Sequence, residues 1–173
     1  ASTWQAFESN REAIDRSDRM PLLERAPGST KIPAVVQTLW QRKGKRLRSH
    51  WFYWFGELAG ATRESMDLYA WFVEAIHTAS LLHDDVVDVA TERRGGPAAN
   101  FVHGNGAAVL SGDYFLSDAL LRVAKHGDQR MLVELCQALQ SLSSGELIQR
   151  ELLGRNPLTE RPFIEVSHLK TSA

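Results

Sequence analysis

The feature that most constrains the fold of this chain is a long helical pattern from Ser65 to Val89. Apolar residues recur there every three or four positions, as on one face of an α-helix. They are Leu68, Phe72, Ala75, Ala79, Leu82 and Val86. Further helices are predicted at Trp4–Asp15, Ile32–Trp40, Ser49–Gly60, Gly106–Lys125, Gln129–Leu153 and from Thr159 onward. Because no strand pattern stands out among them, we predict an all-α helical bundle that forms a single domain over residues 1–173.

The segments between these helices carry turn signals. Pro21, Pro27 and Gly28 predict a linker at Met20–Lys31. A basic turn is predicted at Gln41–Arg48 and a loop at Thr91–Asn105, which contains a Gly-Gly-Pro sequence. The helix that follows the basic turn is aromatic, and its aromatic side chains are predicted to form a core or interface face. They are Trp51, Phe52, Trp54 and Phe55.

Composition and charge narrow the function classes. The 173 residues carry a formal net charge of −1, so there is no overall positive field of the kind that attracts nucleic acid. No apolar run is long enough to span a bilayer, and the N-terminal residues Ala1–Trp4 lack the basic and apolar regions of a signal peptide. We therefore predict a cytoplasmic protein without a transmembrane segment.

Three aspartates interrupt the apolar pattern of the longest predicted helix. Asp84, Asp85 and Asp88 stand at positions i, i+1 and i+4, so Asp84 and Asp88 stack one turn apart. Like charges at that spacing cost a few tenths of a kcal/mol, and burial among leucines and valines costs more, so a cation should compensate them. Oxygen ligands select a hard ion such as Mg²⁺, which shares substrate phosphates. The alternative, an N-cap or solvated acidic face, is weak because the acids do not begin a helix.

Basic residues follow the same helix and precede it. Arg93 and Arg94 lie in the loop just beyond the acids, and Lys45, Arg46 and Arg48 form a second patch. A solvated surface is the usual explanation of any one such pair, but arginine and lysine both suit phosphate. His77 lies two turns before Asp84 on the same face, whereas His83 is less well placed. Together, these residues predict a bound metal–diphosphate.

Several motifs, in order along the chain, resemble the trans-type isoprenyl diphosphate synthases, in particular the bacterial long-chain octaprenyl kind. The motifs are Gly44–Arg48, Ala75–Asp88, Arg93–Gly95, Gly104–Asn105, Val109–Asp113 and Lys170–Thr171. The resemblance implies an isoprenoid-synthase bundle that condenses isopentenyl diphosphate with an allylic diphosphate. The product would be a trans-polyprenyl diphosphate.

The resemblance also implies a role for each matching position. Asp84 and Asp88 would be the Mg²⁺ ligands that bridge to the allylic diphosphate, with Asp85 supporting them. Arg93 and Lys170 would bind that diphosphate, and Thr171 would steer the allylic end. The residues implied to bind isopentenyl diphosphate are Lys45, Arg48, His77 and Arg94.

In this family a bulky aromatic residue just before the first aspartate stops chain growth early. Here those positions are Ala79 and Ser80, both small, so the resemblance implies a long product. A bulky residue nearer the N-terminus of the same helix, Phe72 or Trp71, could still close the channel that holds the growing product. The alternative is that Ala79 and Ser80 only allow close helix packing.

Two departures from the family pattern leave alternatives open. Gly96 replaces a frequent lysine, and the second aspartate-rich motif expected beyond Lys170–Thr171 is not in the sequence. We expect an N-terminal part of a synthase that elongates nothing by itself, or a natural heteromer in which another chain supplies the second motif. A non-catalytic diphosphate-binding or regulatory subunit is a third reading, and a class I terpene cyclase is a weaker one. The resemblance also implies a homodimer or heteromer formed through Gly106–Lys125 and Gln129–Leu153.

Overall fold

A computed structural model describes residues 31–40, 47–126, 128–153 and 160–172 of the chain. Its helices are α1 (Lys31–Trp40), α2 (Leu47–Leu58), α3 (Arg63–Val87), α4 (Ala99–His103), α5 (Asn105–His126), α6 (Gln129–Leu152) and α7 (Glu160–Ser167), followed by a π-helical turn at His168–Ser172. The all-α prediction is confirmed. The predicted helix Trp4–Asp15 and nearly all of the predicted linker Met20–Lys31 lie outside the described residues.

The loop predicted at Thr91–Asn105 is partly wrong, because it contains a small hairpin and a short helix. Strand β1 (Glu92–Arg93) pairs antiparallel with β2 (Gly96–Pro97), and α4 follows. The two turn residues, Arg94 and Gly95, both have positive φ, at 51° and 75°. That is the arrangement of a type I′ turn, which matches the twist of antiparallel strands. Strands of two residues are too short to produce an alternating pattern in a sequence.

Residues Ala1–Arg122 and Val123–Ala173 form two compact units, and each is described by itself. In the first unit α2 packs along α3. The Tyr53 hydroxyl donates to Oδ1 of Asp67 at 2.6 Å, and the Arg63 guanidinium lies 4.6 Å from the centre of the Tyr53 ring. Burial, reinforced by Asp67, raises the pKa of Tyr53. These contacts hold the N-terminal half of α3 against α2.

Helix α3 begins with a regular N-cap. The Thr62 hydroxyl accepts a hydrogen bond from the backbone N–H of Ser65 at 3.3 Å. Glu64 lies in the first turn, where a negative charge is favourable to the helix dipole. The start at Arg63 is two residues before the predicted one.

The aromatic face of α2 is exposed rather than part of the core. Trp51, Trp54 and Phe55 are all exposed, so the core alternative is wrong for these three, and the interface alternative stays a prediction. Phe52 is half-buried against Tyr69, with ring centres 6.2 Å apart. An apolar groove of about 510 Å³ runs between α2 and α3 beside these residues.

The second unit packs α6 against α7 and the π-helical turn. Gly145 of α6 permits this contact, because a Cβ there would lie 2.8 Å from Cγ of Lys170 and 2.9 Å from Cβ of Leu169. Among the described residues, no helix combines the length and apolar character that crossing a membrane requires.

Candidate functional site

The three predicted aspartates lie at the C-terminal end of α3. Asp84 and Asp85 belong to its last turn and Asp88 is the C-cap residue. The last turn carries no basic residue. A helix C-terminus bears partial negative charge, so each carboxylate there is unfavourable by about 0.3–1 kcal/mol when exposed. The dipole of the helix therefore favours a cation at this end.

The backbone beyond Asp88 closes α3 in a Schellman motif. The N–H of Ala90 donates to the carbonyl of Asp85 at 2.8 Å, and that of Val89 donates to Val86 at 3.2 Å. The residue between Asp88 and Ala90 must then adopt a left-handed conformation, which usually calls for glycine. Here it is Val89, with a φ of 51°. A β-branched residue in that conformation is strained, and it lies next to a predicted ligand.

Asp85 does not face solvent with the other two acids. It is fully buried, and its Oδ1 forms an ion pair with Nε of Arg93 at 2.5 Å. Its Oδ2 is buried and has no hydrogen-bond partner among the described residues. Asp84 is half-buried and Asp88 is exposed. The structure therefore separates the acids into an accessible pair and a buried partner of Arg93.

The type I′ hairpin brings the two arginines back to α3. Arg93 reaches Asp85, and Nη2 of Arg94 lies 3.1 Å from Nε2 of His77. Since a guanidinium only donates, Nε2 of His77 is the acceptor, which places the ring proton on Nδ1. Arg94 and His77, two of the four residues predicted to bind isopentenyl diphosphate, are thus in contact.

The other two residues predicted to bind isopentenyl diphosphate are Arg48 and Lys45. Arg48 lies in the first turn of α2 rather than in the preceding turn, is exposed, and lines the apolar groove between α2 and α3. Lys45 lies outside the described residues.

The predicted product-length positions differ from one another in their surroundings. Ala79 is buried. Its backbone oxygen lies close to Gly112 of α5, since a Cβ added at Gly112 would be 3.3 Å from that oxygen. This contact supports the packing interpretation for Ala79. Ser80 is half-buried. Nearer the N-terminus of α3, Phe72 is fully buried. The Trp71 ring packs edge-on against Phe115, with ring centres 6.1 Å apart.

The remaining predicted residues, Lys170 and Thr171, lie in the second unit. The ammonium group of Lys170 forms an ion pair with Glu146 of α6 and donates to Oε1 of Gln149 at 2.9 Å. The side chain of Thr171 lies outside the described part of the chain. Glu146 and Gln149 were not singled out in the sequence, although their spacing of three residues on one helix face could have indicated a shared partner.

Asn100 is a second residue that sequence reasoning missed. It is buried, and its amide nitrogen donates to the backbone oxygen of Asp85 at 3.0 Å. Its own Oδ1 is buried without a hydrogen-bond partner among the described residues. The available signal was a lone amide following Ala98–Ala99, just past the paired arginines.

The donor set at the end of α3 fits Mg²⁺ shared with a substrate. In the part of the chain that the structure describes, no three histidine, cysteine or acidic side chains converge to form a complete metal site. Asp84 and Asp88 offer oxygen ligands one turn apart. Mg²⁺ typically takes one or two carboxylates, substrate phosphates and waters, so two accessible acids beside two arginines are a suitable half-site.

Comparisons with known proteins identify the family of this chain. The family model for polyprenyl synthetases matches residues 29–173. Octaprenyl diphosphate synthase of Escherichia coli (strain K12) is 33% identical over 129 residues, which are 75% of this chain and 40% of that enzyme. The chain thus spans less than half the length of this relative.

Two solved structures share the fold. A decaprenyl diphosphate synthase from Rhodobacter capsulatus matches with a TM-score of 0.86 and 32% identity, covering 96% of this chain and 50% of that one. A polyprenyl synthase from Caulobacter crescentus CB15, solved with calcium and isoprenyl diphosphate, gives a TM-score of 0.83 and 31% identity, covering 94% and 49%. The chain therefore belongs to the polyprenyl synthetase family.

Proposed function

We propose that the complete protein containing this chain condenses isopentenyl diphosphate with an allylic diphosphate to give a long trans-polyprenyl diphosphate. One observation carries the proposal. Helix α3 ends in accessible carboxylates with no basic residue in its last turn, and a hairpin returns Arg93 to Asp85 at that end and Arg94 to His77, two turns earlier.

We propose that Asp84 and Asp88 hold Mg²⁺ against the allylic diphosphate. When bound, the metal supplies electrostatic stabilisation of the negative charge that develops on the departing diphosphate. Support comes from the donor chemistry, from the unfavourable helix end, and from the calcium and isoprenyl diphosphate in the related Caulobacter structure.

The chain's own cations complete the binding of the two diphosphates. Arg93, oriented through its Nε by Asp85, binds the allylic diphosphate. Lys170 and Thr171 act on the same substrate. The residues that bind isopentenyl diphosphate are Lys45, Arg48, His77 and Arg94.

The reaction breaks the carbon–oxygen bond of the allylic diphosphate and forms a carbon–carbon bond from the isopentenyl double bond. A proton then leaves the isopentenyl part, and the departing diphosphate accepts it. The buried apolar face of α3 excludes water, which would otherwise capture the allylic cation. Ser80 leaves room for a long product, whereas Ala79 serves the close packing of α3 against α5.

The test uses the complete protein with Mg²⁺, farnesyl diphosphate and labelled isopentenyl diphosphate, with chain length followed by chromatography. Wild type is expected to form elongated polyprenyl diphosphates. Asp84→Asn should lose at least about 100-fold in rate, the scale of removing a group that stabilises transition-state charge. The matched control Glu64→Gln changes an acid at the other end of the same helix and should retain activity.

Other products would contradict the proposal in distinct ways. Binding of Mg²⁺ and diphosphate without elongation would identify a non-catalytic subunit. Release of a hydrocarbon without consumption of isopentenyl diphosphate would identify a cyclase. Full activity of Asp84→Asn would show that the ligand assignment is wrong.

A further inference from the structure

Two motifs that are distant in the sequence, Ala75–Asp88 and Val109–Asp113, meet beside the acid-rich end of α3. Nε2 of His83 lies 3.1 Å from Oδ1 of Asp113 and 3.3 Å from the backbone oxygen of Val109, both on α5. Both partners accept hydrogen bonds, so the N–H that reaches them is on Nε2 of His83. One imidazole thus joins the last turns of α3 to the first half of α5.

Gly112 makes this contact possible. A Cβ at Gly112 would lie 2.6 Å from Nε2 and 2.9 Å from Cδ2 of His83, and 3.3 Å from the backbone oxygen of Ala79. The first two distances are too short for any real contact, so the ring occupies the space that a side chain would take. The backbone oxygen of Ala79 would also be crowded at 3.3 Å, so displacement of the His83 ring alone would not make full room for a side chain.

The position of His83 next to Asp84 gives the contact a consequence for the metal site. Successive residues of an α-helix are about 100° apart around the axis. His83 and Asp85 therefore flank Asp84 on opposite sides, and each is tied to another element, His83 to α5 and Asp85 to the hairpin through Arg93. Two lateral ties fix the rotation of the helix end and so the direction of Asp84.

We propose that His83, Gly112 and Asp113 act as positioning residues, an imidazole clamp that holds Asp84 in the direction needed to bind the metal–diphosphate. This inference rests on the proposed function, since Asp84 is a metal ligand only if that assignment is right. In this proposal, none of the three clamp residues contacts the substrate. Their effect is on the geometry of a neighbouring ligand, a type of support that commonly changes metal affinity by about 10- to 100-fold.

The test measures binding of Mg²⁺ in the presence of inorganic diphosphate, by calorimetric titration of the complete protein. His83→Ala and Gly112→Ala should each weaken Mg²⁺ binding by about 10-fold. His83→Gln should stay near the wild-type value, because its amide nitrogen can still donate to Asp113. The double variant should be no worse than either single one, since both remove the same contact.

His103→Ala is the matched control. His103 also joins two elements, because its Nε2 lies 3.0 Å from the Thr38 hydroxyl of α1. Its loss should lower the melting temperature about as much as His83→Ala while Mg²⁺ binding is unchanged. Equal melting losses with unchanged Mg²⁺ binding in both variants would overturn the clamp and show a purely structural contact.

The results that would refute the proposed function differ from those that would refute the clamp. If wild type binds Mg²⁺ and diphosphate but elongates nothing, the catalytic assignment is wrong while the clamp is still tested by the binding data. If His83→Ala and Gly112→Ala bind Mg²⁺ as wild type does while wild type elongates normally, only the clamp is refuted.

Discussion

The two ends of α3 differ in how well their charges and backbone conformation suit a helix end. At the N-terminal end Thr62 caps the helix and Glu64 lies where the dipole favours a negative charge. At the C-terminal end Asp84 and Asp85 lie where the dipole opposes them, and Val89 takes a conformation suited to glycine. The N-terminal end stabilises the free protein, whereas the C-terminal end is less stable than it could be, at the place where a cation is expected to bind.

Buried oxygen atoms show the same contrast. Near the N-terminal half, the Ser49 hydroxyl donates to Glu74 at 3.2 Å and Tyr53 donates to Asp67. Near the C-terminal end, Oδ2 of Asp85 and Oδ1 of Asn100 are buried without hydrogen-bond partners among the described residues. Nε1 of Trp71, in the N-terminal half, is also buried without a hydrogen-bond partner among the described residues, so the contrast holds for oxygen atoms and not for every polar atom.

The largest expected effect on stability comes from Arg93→Ala. The substitution leaves the fully buried Asp85 carboxylate without its ion-pair partner, which should cost about 3–5 kcal/mol in the free energy of unfolding. Urea denaturation of the complete protein without Mg²⁺ measures it.

Arg94→Ala is the control for that measurement, because Arg94 is the exposed neighbour in the same hairpin. Its loss should cost no more than about 1 kcal/mol, as for other exposed polar contacts. Equal losses for the two arginines would mean that Asp85 is not an energetically distinct buried partner, and would weaken the contrast between the helix ends.

Thr62→Ala tests the stable end of α3. Loss of the cap hydrogen bond to Ser65 should cost about 1 kcal/mol of unfolding free energy. Mg²⁺ binding should not change, because the cap supports only the helix start. A shift in Mg²⁺ affinity would show that the two ends do not act independently.

Val89→Gly is expected to have the smallest effect. Relief of the left-handed strain is worth about 1–2 kcal/mol, and the added flexibility of glycine costs about 0.5–1 kcal/mol. A net gain of about 0–1.5 kcal/mol should therefore appear in the melting curve. A clear loss of stability would mean that Val89 is not strained.

Long elements of this fold could be predicted because their apolar periodicity is strong. The helix predicted at Ser65–Val89 is observed at Arg63–Val87, and Gly106–Lys125 at Asn105–His126. The acidic cluster was also predictable, since Asp84 and Asp88 interrupt an apolar pattern. Family membership followed from motif order.

The parts that could not be predicted depend on tertiary contacts. The sequence shows three adjacent acids, but only the fold reveals that Asp85 turns inward to Arg93. The hairpin was missed because two-residue strands carry no period, and its turn uses Arg94–Gly95 rather than the usual Asn-Gly. The pairing of His83 with Asp113 joins residues that no local pattern relates.

The central claim is that the acid-rich end of α3 is unfavourable in the free protein and becomes favourable when Mg²⁺ and diphosphate bind. The most direct test is thermal unfolding of the complete protein and its isosteric variant Asp84→Asn, each with and without Mg²⁺ plus inorganic diphosphate. Without ligands, removal of the charge beside the helix C-terminus should stabilise the variant by about 0.3–1 kcal/mol. With both ligands, wild type should gain the larger rise in melting temperature and become the more stable protein. A variant that is less stable without ligands, or that gains as much from them as wild type does, would contradict the account.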